Sequence, residues 1–301
     1  MKTLITGCSG LVGSALIEFL FQKGHSIQCL QRNNQVNAPH FWATEELPET
    51  TDHTFDTIIH LAGENVASGR WSKKKKERIR NSRIEGTSDL VDFISLMPQK
   101  PSTVLCASAV GFYGNRGDAV VDETAGLGKG FLAEVCRDWE KQIARLSPLG
   151  IRVVHLRFGM VLSPQGGALH KMIPPFKMRL GGIIGNGSQY ISWISIRDLV
   201  NIVDFIISHE KIQGPVNVVS PIPTTNKELT KTLGKCLERP TVFKVPEFGV
   251  KLLFGQMAEE MLLSSTRATP TVLMENDYTF LDQSLEAVIR YCIGGNQTSG
   301  N

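Results

Sequence analysis

Near the start of the chain, Thr6-Gly7-Cys8-Ser9-Gly10-Leu11-Val12-Gly13 sets three glycines at GxxGxxG spacing directly after a short apolar run. Gly7 would let the chain turn sharply, Gly10 would let backbone N–H groups approach a diphosphate, and Gly13 would let the next helix pack closely on a sheet. The helix N-terminus adds partial positive charge for phosphates. An ordinary tight strand-to-helix turn uses the same residue types. The context, after a strand and opening a helix, is what points to a dinucleotide. The next apolar run ends in Gln31-Arg32. An acidic residue there would hold a ribose 2′-hydroxyl, whereas a guanidinium suits the 2′-phosphate of NADP. Read as a surface arginine, Arg32 would say nothing about the nucleotide.

Other chemistry-bearing residues point less clearly. The seven histidines are dispersed, with no His, Cys or carboxylate partner at metal-ligand spacing, so no metal is expected. His60 ends an apolar run and reads as a core or backbone-bonding residue. Lys73 to Lys76, with Arg78, Arg80 and Arg83, form a basic stretch. Without interleaved aromatics, and with a formal net charge of only +3 over 301 residues, it reads as a solvated helix face. No nucleic-acid partner is expected. The six cysteines show no CxxC pair, and several sit in apolar runs such as Val104-Leu105-Cys106-Ala107. They read as buried free thiols in a reducing compartment. The opening MKTLIT lacks signal-peptide character, and no apolar run reaches the ~18 residues of a membrane span. A cytoplasmic protein without a membrane partner is the expectation.

The elements that must position these residues are legible from periodicity. Lys2 to Thr6 reads as a buried strand. Leu11, Val12, Ala15, Leu16, Phe19 and Leu20 share one face of a helix over 11–23, with Gly24 as its C-terminal stop. His25 to Gln31 completes a βαβ opening. Strands over 55–61, 102–108 and 151–158 alternate with helices over 72–97 and 131–147. This alternation predicts an α/β chain, a Rossmann-type doubly wound parallel sheet with helices on both faces. Later segments are broken by Gly166-Gly167, Pro174-Pro175, Gly181-Gly182 and Gly185-Asn186-Gly187, with a further helix over 226–238. The division expected is a dinucleotide-binding domain over 1–162 and a smaller substrate lobe over 163–301, some of whose elements return to the main sheet. The polar tail 294–301 is expected to fray.

The segments TGCSGLVGSAL (6–16), HLAGENV (60–66), RWSKKKKERIRNSRIEGT (70–87), SAVGFYG (108–114), LRFGMVL (156–162), GGIIGNGSQYISWISIRDL (181–199) and VPEFGVKLLFGQMAEEMLLSSTRATP (245–270) together resemble the short-chain dehydrogenase/reductase superfamily. The resemblance is to its extended, atypical branch, and within that to the YfcH-like epimerase family proteins with their C-terminal domain. It implies NADP(H) as cofactor. It implies contacts from Thr6, Gly7, Gly10, Leu11, Val12 and Gly13, from Arg32, and from Leu61, Ala62 and Gly63 beneath the adenine and ribose. Arg83 falls on the helix that carries an active-site asparagine in typical extended members. Met160 matches the stretch approaching the nicotinamide, and Asp198 a structural aspartate.

The same resemblance exposes a departure. The superfamily's proton chemistry uses a tyrosine and a lysine four apart on one helix face, where the ammonium lowers the phenol pKa and holds the nicotinamide ribose. Here Phe131 stands in the tyrosine's place and Val135 in the lysine's, a loss shared by the subgroup. Replacement candidates are Ser108, although aligning on Tyr113-Gly114 puts Ala109 at the usual serine position, then Tyr113 itself, and Glu123 in the following turn. Each could equally be a satisfied loop or strand-end residue. Met172, Pro174, Pro175, Phe176, Lys177, Arg179, Tyr190 and Trp193 fall where extended members build the substrate pocket, and could equally be lobe packing. Two functions fit: an NADP-dependent oxidoreductase or epimerase acting on an unknown small molecule, or a non-catalytic NADP-binding regulatory or assembly protein. A monomer and a homodimer both remain open.

Overall fold

The computed structural model describes residues 1–32, 42 and 54–294. Six strands form one parallel sheet: β1 (Lys2–Thr6), β2 (Ser26–Leu30), β3 (Thr57–His60), β4 (Thr103–Ala109), β5 (Arg152–Phe158) and β6 (Gly214–Val218). Their spatial order is β6-β5-β4-β3-β1-β2, with Thr6 opposite Leu30 on one side and His60 on the other. The direction of winding reverses between β1 and β3. The carboxyl ends of the strands at such a switch point open the crevice in which doubly wound sheets bind ligands.

Both sheet faces are apolar because helices cover both. Helices α1 (Leu11–Gln22), α2 (Lys73–Leu96) and α3 (Phe131–Ile143) match the sequence periodicity to within a few residues, followed by α4 (Ala168–Lys177), α5 (Ile196–Ser208), α6 (Asn226–Leu237), α7 (Glu247–Phe254), α8 (Thr271–Glu275) and α9 (Leu285–Gly294). On one face Leu16 and Leu20 of α1 and Leu199, Ile202 and Val203 of α5 pack on Ile5, Ile59 and Leu105. On the other, Leu90, Val91 and Ile94 of α2 and Trp139 and Ile143 of α3 pack on Leu4, Ile58 and Val104. Each fully buried leucine in these layers contributes roughly 2 kcal/mol of transfer free energy.

Among the later residues, β6 joins the main sheet, pairing with β5 in register Val216↔Leu156, and α5 covers it, with Leu273 of α8 and Phe280 in the same layer. Helices α4, α6 and α9 gather around a separate core of Leu162, Phe176, Trp193, Leu229, Leu233 and Ile289. Of the tail read as frayed, the part beyond Gly294 lies outside the described residues.

One expectation is overturned. Cys8 and Cys29, expected to be buried free thiols, form a disulfide, with Cα atoms 6.1 Å apart. Cys29 lies opposite Ile5 in the β1–β2 ladder, and the turn at Gly7 carries Cys8 over to it. A linear sequence gives no sign of this pairing because strand register creates it. Cys106, Cys136, Cys236 and Cys292 are free.

Candidate functional site

The glycine loop sits at the switch point, and each glycine has a distinct reason. Gly7 has φ +76°, and a Cβ there would lie 2.9 Å from Ala62 N and Leu61 C. Gly13 lets α1 rest on the loop, since a Cβ would come 2.2 Å from Gly7 O. At Gly10 a Cβ would meet only Gly7 O, at 3.2 Å, so the outer side of the loop is open. Gly10 is also the N-cap of α1, with no capping side chain and no acidic residue in the first turn. Helix amides without a protein acceptor are ready donors to an anion. This bare, open helix start fits a diphosphate. The Leu11 side chain packs against a later part of the chain: a Cβ on Gly167 would come within 3.0 Å of its Cδ2.

Two guanidiniums lie on elements next to the loop. Arg32 is exposed at the end of β2, bridged through its backbone to Trp42. Gly63 lies directly under the Arg83 guanidinium, whose carbon a Cβ there would approach to 3.0 Å. Arg83 donates to the backbone oxygens of Glu64 (3.0 Å) and Ile79 (3.2 Å) and stacks 4.9 Å over the Trp139 ring. No ion pair to Arg83 forms among the described residues. Glu64 instead takes Lys75 at 2.6 Å, and that hydrogen bond, reinforced by the charges of Lys75, Arg78 and Arg32, holds its carboxyl below the usual range. Lys75 therefore departs from the solvated face read for the basic stretch. It is buried, and it also donates to Ser68 at 2.7 Å. Lys73 and Lys74 are exposed, and Arg80 pairs with Asp138 at 2.6 Å.

Hydrogen bonds of Thr6 and His60 tie the switch point together. His60 is fully buried, with Nδ1 2.7 Å from Thr6 Oγ1 and Nε2 2.8 Å from Thr87 Oγ1, its ring edge-on between Trp42 and Trp139. Burial, helped by the charge of Arg83, pushes its pKa down to about 3, so the ring is neutral. Thr6 Oγ1 also accepts from Leu61 N (3.2 Å) and Ala62 N (3.3 Å). Thr6, Leu61, Ala62 and Gly63, singled out from sequence, thus come together with Gly7 at one point.

Ser108, Tyr113 and Glu123 also meet, inside the protein. Ser108 Oγ donates to Glu140 at 2.7 Å. Glu140 receives Arg157 through both oxygens at 2.9 Å. Arg157 donates to the Tyr113 hydroxyl (2.9 Å), which donates to Asn217 Oδ1 (2.7 Å). Asn217 N in turn donates to Glu123 Oε1 at 3.0 Å. All of these lie at or below 7% exposure apart from Glu140. Burial pushes the Tyr113 phenol and the Glu123 carboxyl up. Both hydroxyls are spent on protein partners. The distant members Glu140, Arg157 and Asn217 were invisible to spacing arguments because three different elements supply them.

The places of the missing tyrosine and lysine are filled by an apolar cluster. Phe131 and Val135 pack with Trp71, Ile79, Met257 and Met261, the Trp71 and Phe131 rings 5.4 Å apart. The C-terminal segment supplies more than the methionines. Glu260 accepts from Phe131 N (3.0 Å) and Leu132 N (2.8 Å), capping α3, and from Gln256 Nε2 (2.7 Å). Gln256 Oε1 receives Lys76 at 3.1 Å, whose ammonium lies 5.5 Å from the Phe131 ring centre. Glu260 was missed from sequence; no local pattern links residues 129 apart.

Met160 is half-buried against the core of Leu162, Phe176 and Trp193, its N–H bonded to Ser192 O at 2.8 Å. Of the residues offered for a substrate pocket, Phe176 and Trp193 are buried in that core, with Met172 packed against it. Asp198 is fully buried and accepts from Tyr278 Oη (3.0 Å), Leu281 N (2.9 Å) and Asp282 N (2.9 Å), anchoring α5 to the segment 278–282. Among the described residues, no helix is long and apolar enough to cross a membrane.

A parallel sheet with a bare, glycine-rich helix start at its switch point defines the architecture of a Rossmann-type nucleotide-binding protein. The chain belongs to the NAD dependent epimerase/dehydratase family, whose model matches residues 3–219, and residues 245–292 match a domain of unknown function, DUF1731. It is 39% identical over 290 residues to Epimerase family protein Mb2239 of Mycobacterium bovis, across 95% of this chain and 96% of that one. It is 33% identical over 305 residues to Epimerase family protein YfhF of Bacillus subtilis, across 99% and 100%. The crystal structure of human epimerase family protein SDR39U1 with NADPH superposes with TM-score 0.88 at 30% identity, covering 98% of this chain and 99% of that one. The resemblance to the atypical epimerase family proteins is therefore correct, and so is the doubly wound fold.

Proposed function

We propose that this protein binds NADP(H) in the cradle of Gly7, Gly10 and Gly13, with Arg32 facing the 2′-phosphate, and that it performs no Tyr–Lys proton chemistry. In this reading Leu11, Val12 and Gly13 amides meet the diphosphate, and Leu61, Ala62, Gly63 and Arg83 border the adenosine and ribose. The NADPH in the human relative's structure supports the choice of cofactor. When bound, the dinucleotide would supply a hydride; the chain supplies binding and orientation. One observation carries the second half of the reading: Val135 is buried and Phe131 half-buried in an apolar cluster with Trp71, Met257 and Met261. Neither side chain can move a proton, and the nearby hydroxyls of Ser108 and Tyr113 are committed to Glu140 and Asn217. A non-catalytic, dinucleotide-responsive role follows most directly.

A second reading keeps an oxidoreductase or epimerase acting on a small molecule. It is favoured by the Lys76–Gln256–Glu260 chain, which brings titratable groups beside Phe131. Within either reading residues 1–162, completed by α5 and β6, hold the dinucleotide, and the rest of 163–301 covers its reactive end. We read the protein as cytoplasmic, a monomer or homodimer, with no nucleic-acid partner. The deciding experiment incubates NADPH-loaded protein with nucleotide sugars, ketones and quinones and follows absorbance at the reduced-nicotinamide band. The expected result is saturable NADPH binding without oxidation. Steady turnover with any acceptor would establish the second reading instead.

A further inference from the structure

The Cys8–Cys29 bond joins two parts of the proposed NADP(H) cradle. Cys8 follows Gly7 in the diphosphate loop, two residues before the open Gly10. Cys29 lies in β2, three residues before Arg32. We propose that this pair is a reversible redox site, and that closing the bond fixes the diphosphate loop against the strand leading to the 2′-phosphate arginine, tightening NADP(H) binding. The inference rests on the NADP(H) reading above.

Three observations carry it. The disulfide form already has the loop in its open-cradle geometry, with Gly10 N bonded to Gly7 O at 3.0 Å and a side-chain-free helix start. The oxidised form thus holds the loop as the dinucleotide needs it, and a covalent tie that limits the loop's other conformations strengthens binding by removing an entropic cost. Both cysteines are half-buried, whereas Cys106, Cys136 and Cys292 are buried. The remaining thiols compete poorly. Burial pushes Cys136 and Cys292 up to about 11 and raises Cys106 and Cys236 as well, which leaves little thiolate for exchange. In thiol–disulfide exchange with a small disulfide of the glutathione class, the two protein thiols form one S–S bond. Two electrons and two protons pass to the small disulfide, which leaves as two thiols. In a reducing compartment such a bond is transient and regulatory.

The test uses the full chain, fully reduced or oxidised with glutathione disulfide, then freed of reagent. Free thiols are counted under denaturing conditions, the bond is mapped by peptide mass spectrometry, and NADPH is titrated by calorimetry. Thiols should fall from six to four, with Cys8 linked to Cys29, and the oxidised form should bind NADPH roughly three- to tenfold more tightly. Cys29→Ser should bind like the reduced form whatever the oxidant. Six thiols after oxidation, a bond elsewhere, or equal affinities of the two forms would overturn the inference alone. Binding in neither form would remove the NADP(H) reading with it.

Discussion

The carboxylate of Glu260 meets the amide of Phe131 at 3.0 Å and that of Leu132 at 2.8 Å. A residue near the C-terminus thereby completes the first turn of the helix in which the superfamily carries its proton-donating tyrosine. Helix-start amides need acceptors, and a carboxylate there also gains from the helix dipole. Glu260→Ala should lower stability by about 1–2 kcal/mol in urea unfolding, in the range of a lost cap. An unchanged midpoint would mean that solvent serves these amides equally well.

Restoring the lysine should fail. Val135 is 2% exposed and packed among Trp71, Ile79 and Met257. Val135→Lys places an ammonium among these apolar side chains and should cost about 3 kcal/mol or more by denaturant unfolding. Phe131→Tyr alone should be milder, since only one hydroxyl is added at the edge of the cluster. A fully stable Val135→Lys protein would show that this region opens readily to water.

His60 gives stability a pH dependence of known sign. Its folded pKa is about 3 against an ordinary 6.5. Between these values the unfolded chain binds a proton that the folded chain does not. The stabilisation is complete above pH 6.5 and is lost as pH falls toward 3, by up to about 1.4 kcal/mol per pH unit. His60→Gln should be less stable at pH 7 yet show a flatter decline from pH 6 to pH 4. Parallel curves for the two proteins would mean that His60 is not the group responsible.

Much of this was legible in the chain itself, for local reasons. The GxxGxxG spacing, the apolar face from Leu11 to Leu20 and the strand–helix alternation are short-range patterns, and they place β1 to β5 and α1 to α3 correctly. What stayed hidden depends on contacts distant in sequence. Lys75 reads as one of four solvated lysines until the loop after β3 folds back and sets Glu64 beside it. Cys8 meets Cys29 only through the β1–β2 register. Tyr113 and Ser108 look available in a line of residues; Arg157 from β5, Glu140 from α3 and Asn217 from β6 close around them only in three dimensions.

That closure sets an expectation for both hydroxyls. Tyr113→Phe leaves Asn217 Oδ1 and one Arg157 N–H without their partner and should cost about 1–3 kcal/mol in thermal or urea unfolding. Ser108→Ala removes one donor from Glu140 and should cost about 1 kcal/mol. Neither change should alter NADPH affinity. A large loss of NADPH affinity with unchanged stability would place these hydroxyls at the ligand instead.

The most direct test is calorimetric titration of the wild-type and Arg32→Ala proteins with NADPH and NADH. Wild-type protein should take up one equivalent of NADPH, and Arg32→Ala should weaken that binding roughly ten- to hundredfold, as for a lost charge-assisted contact, with NADH affinity little changed. Equal losses for the two nucleotides, or no NADPH binding by the wild-type protein, would contradict the assignment of this crevice to NADP(H).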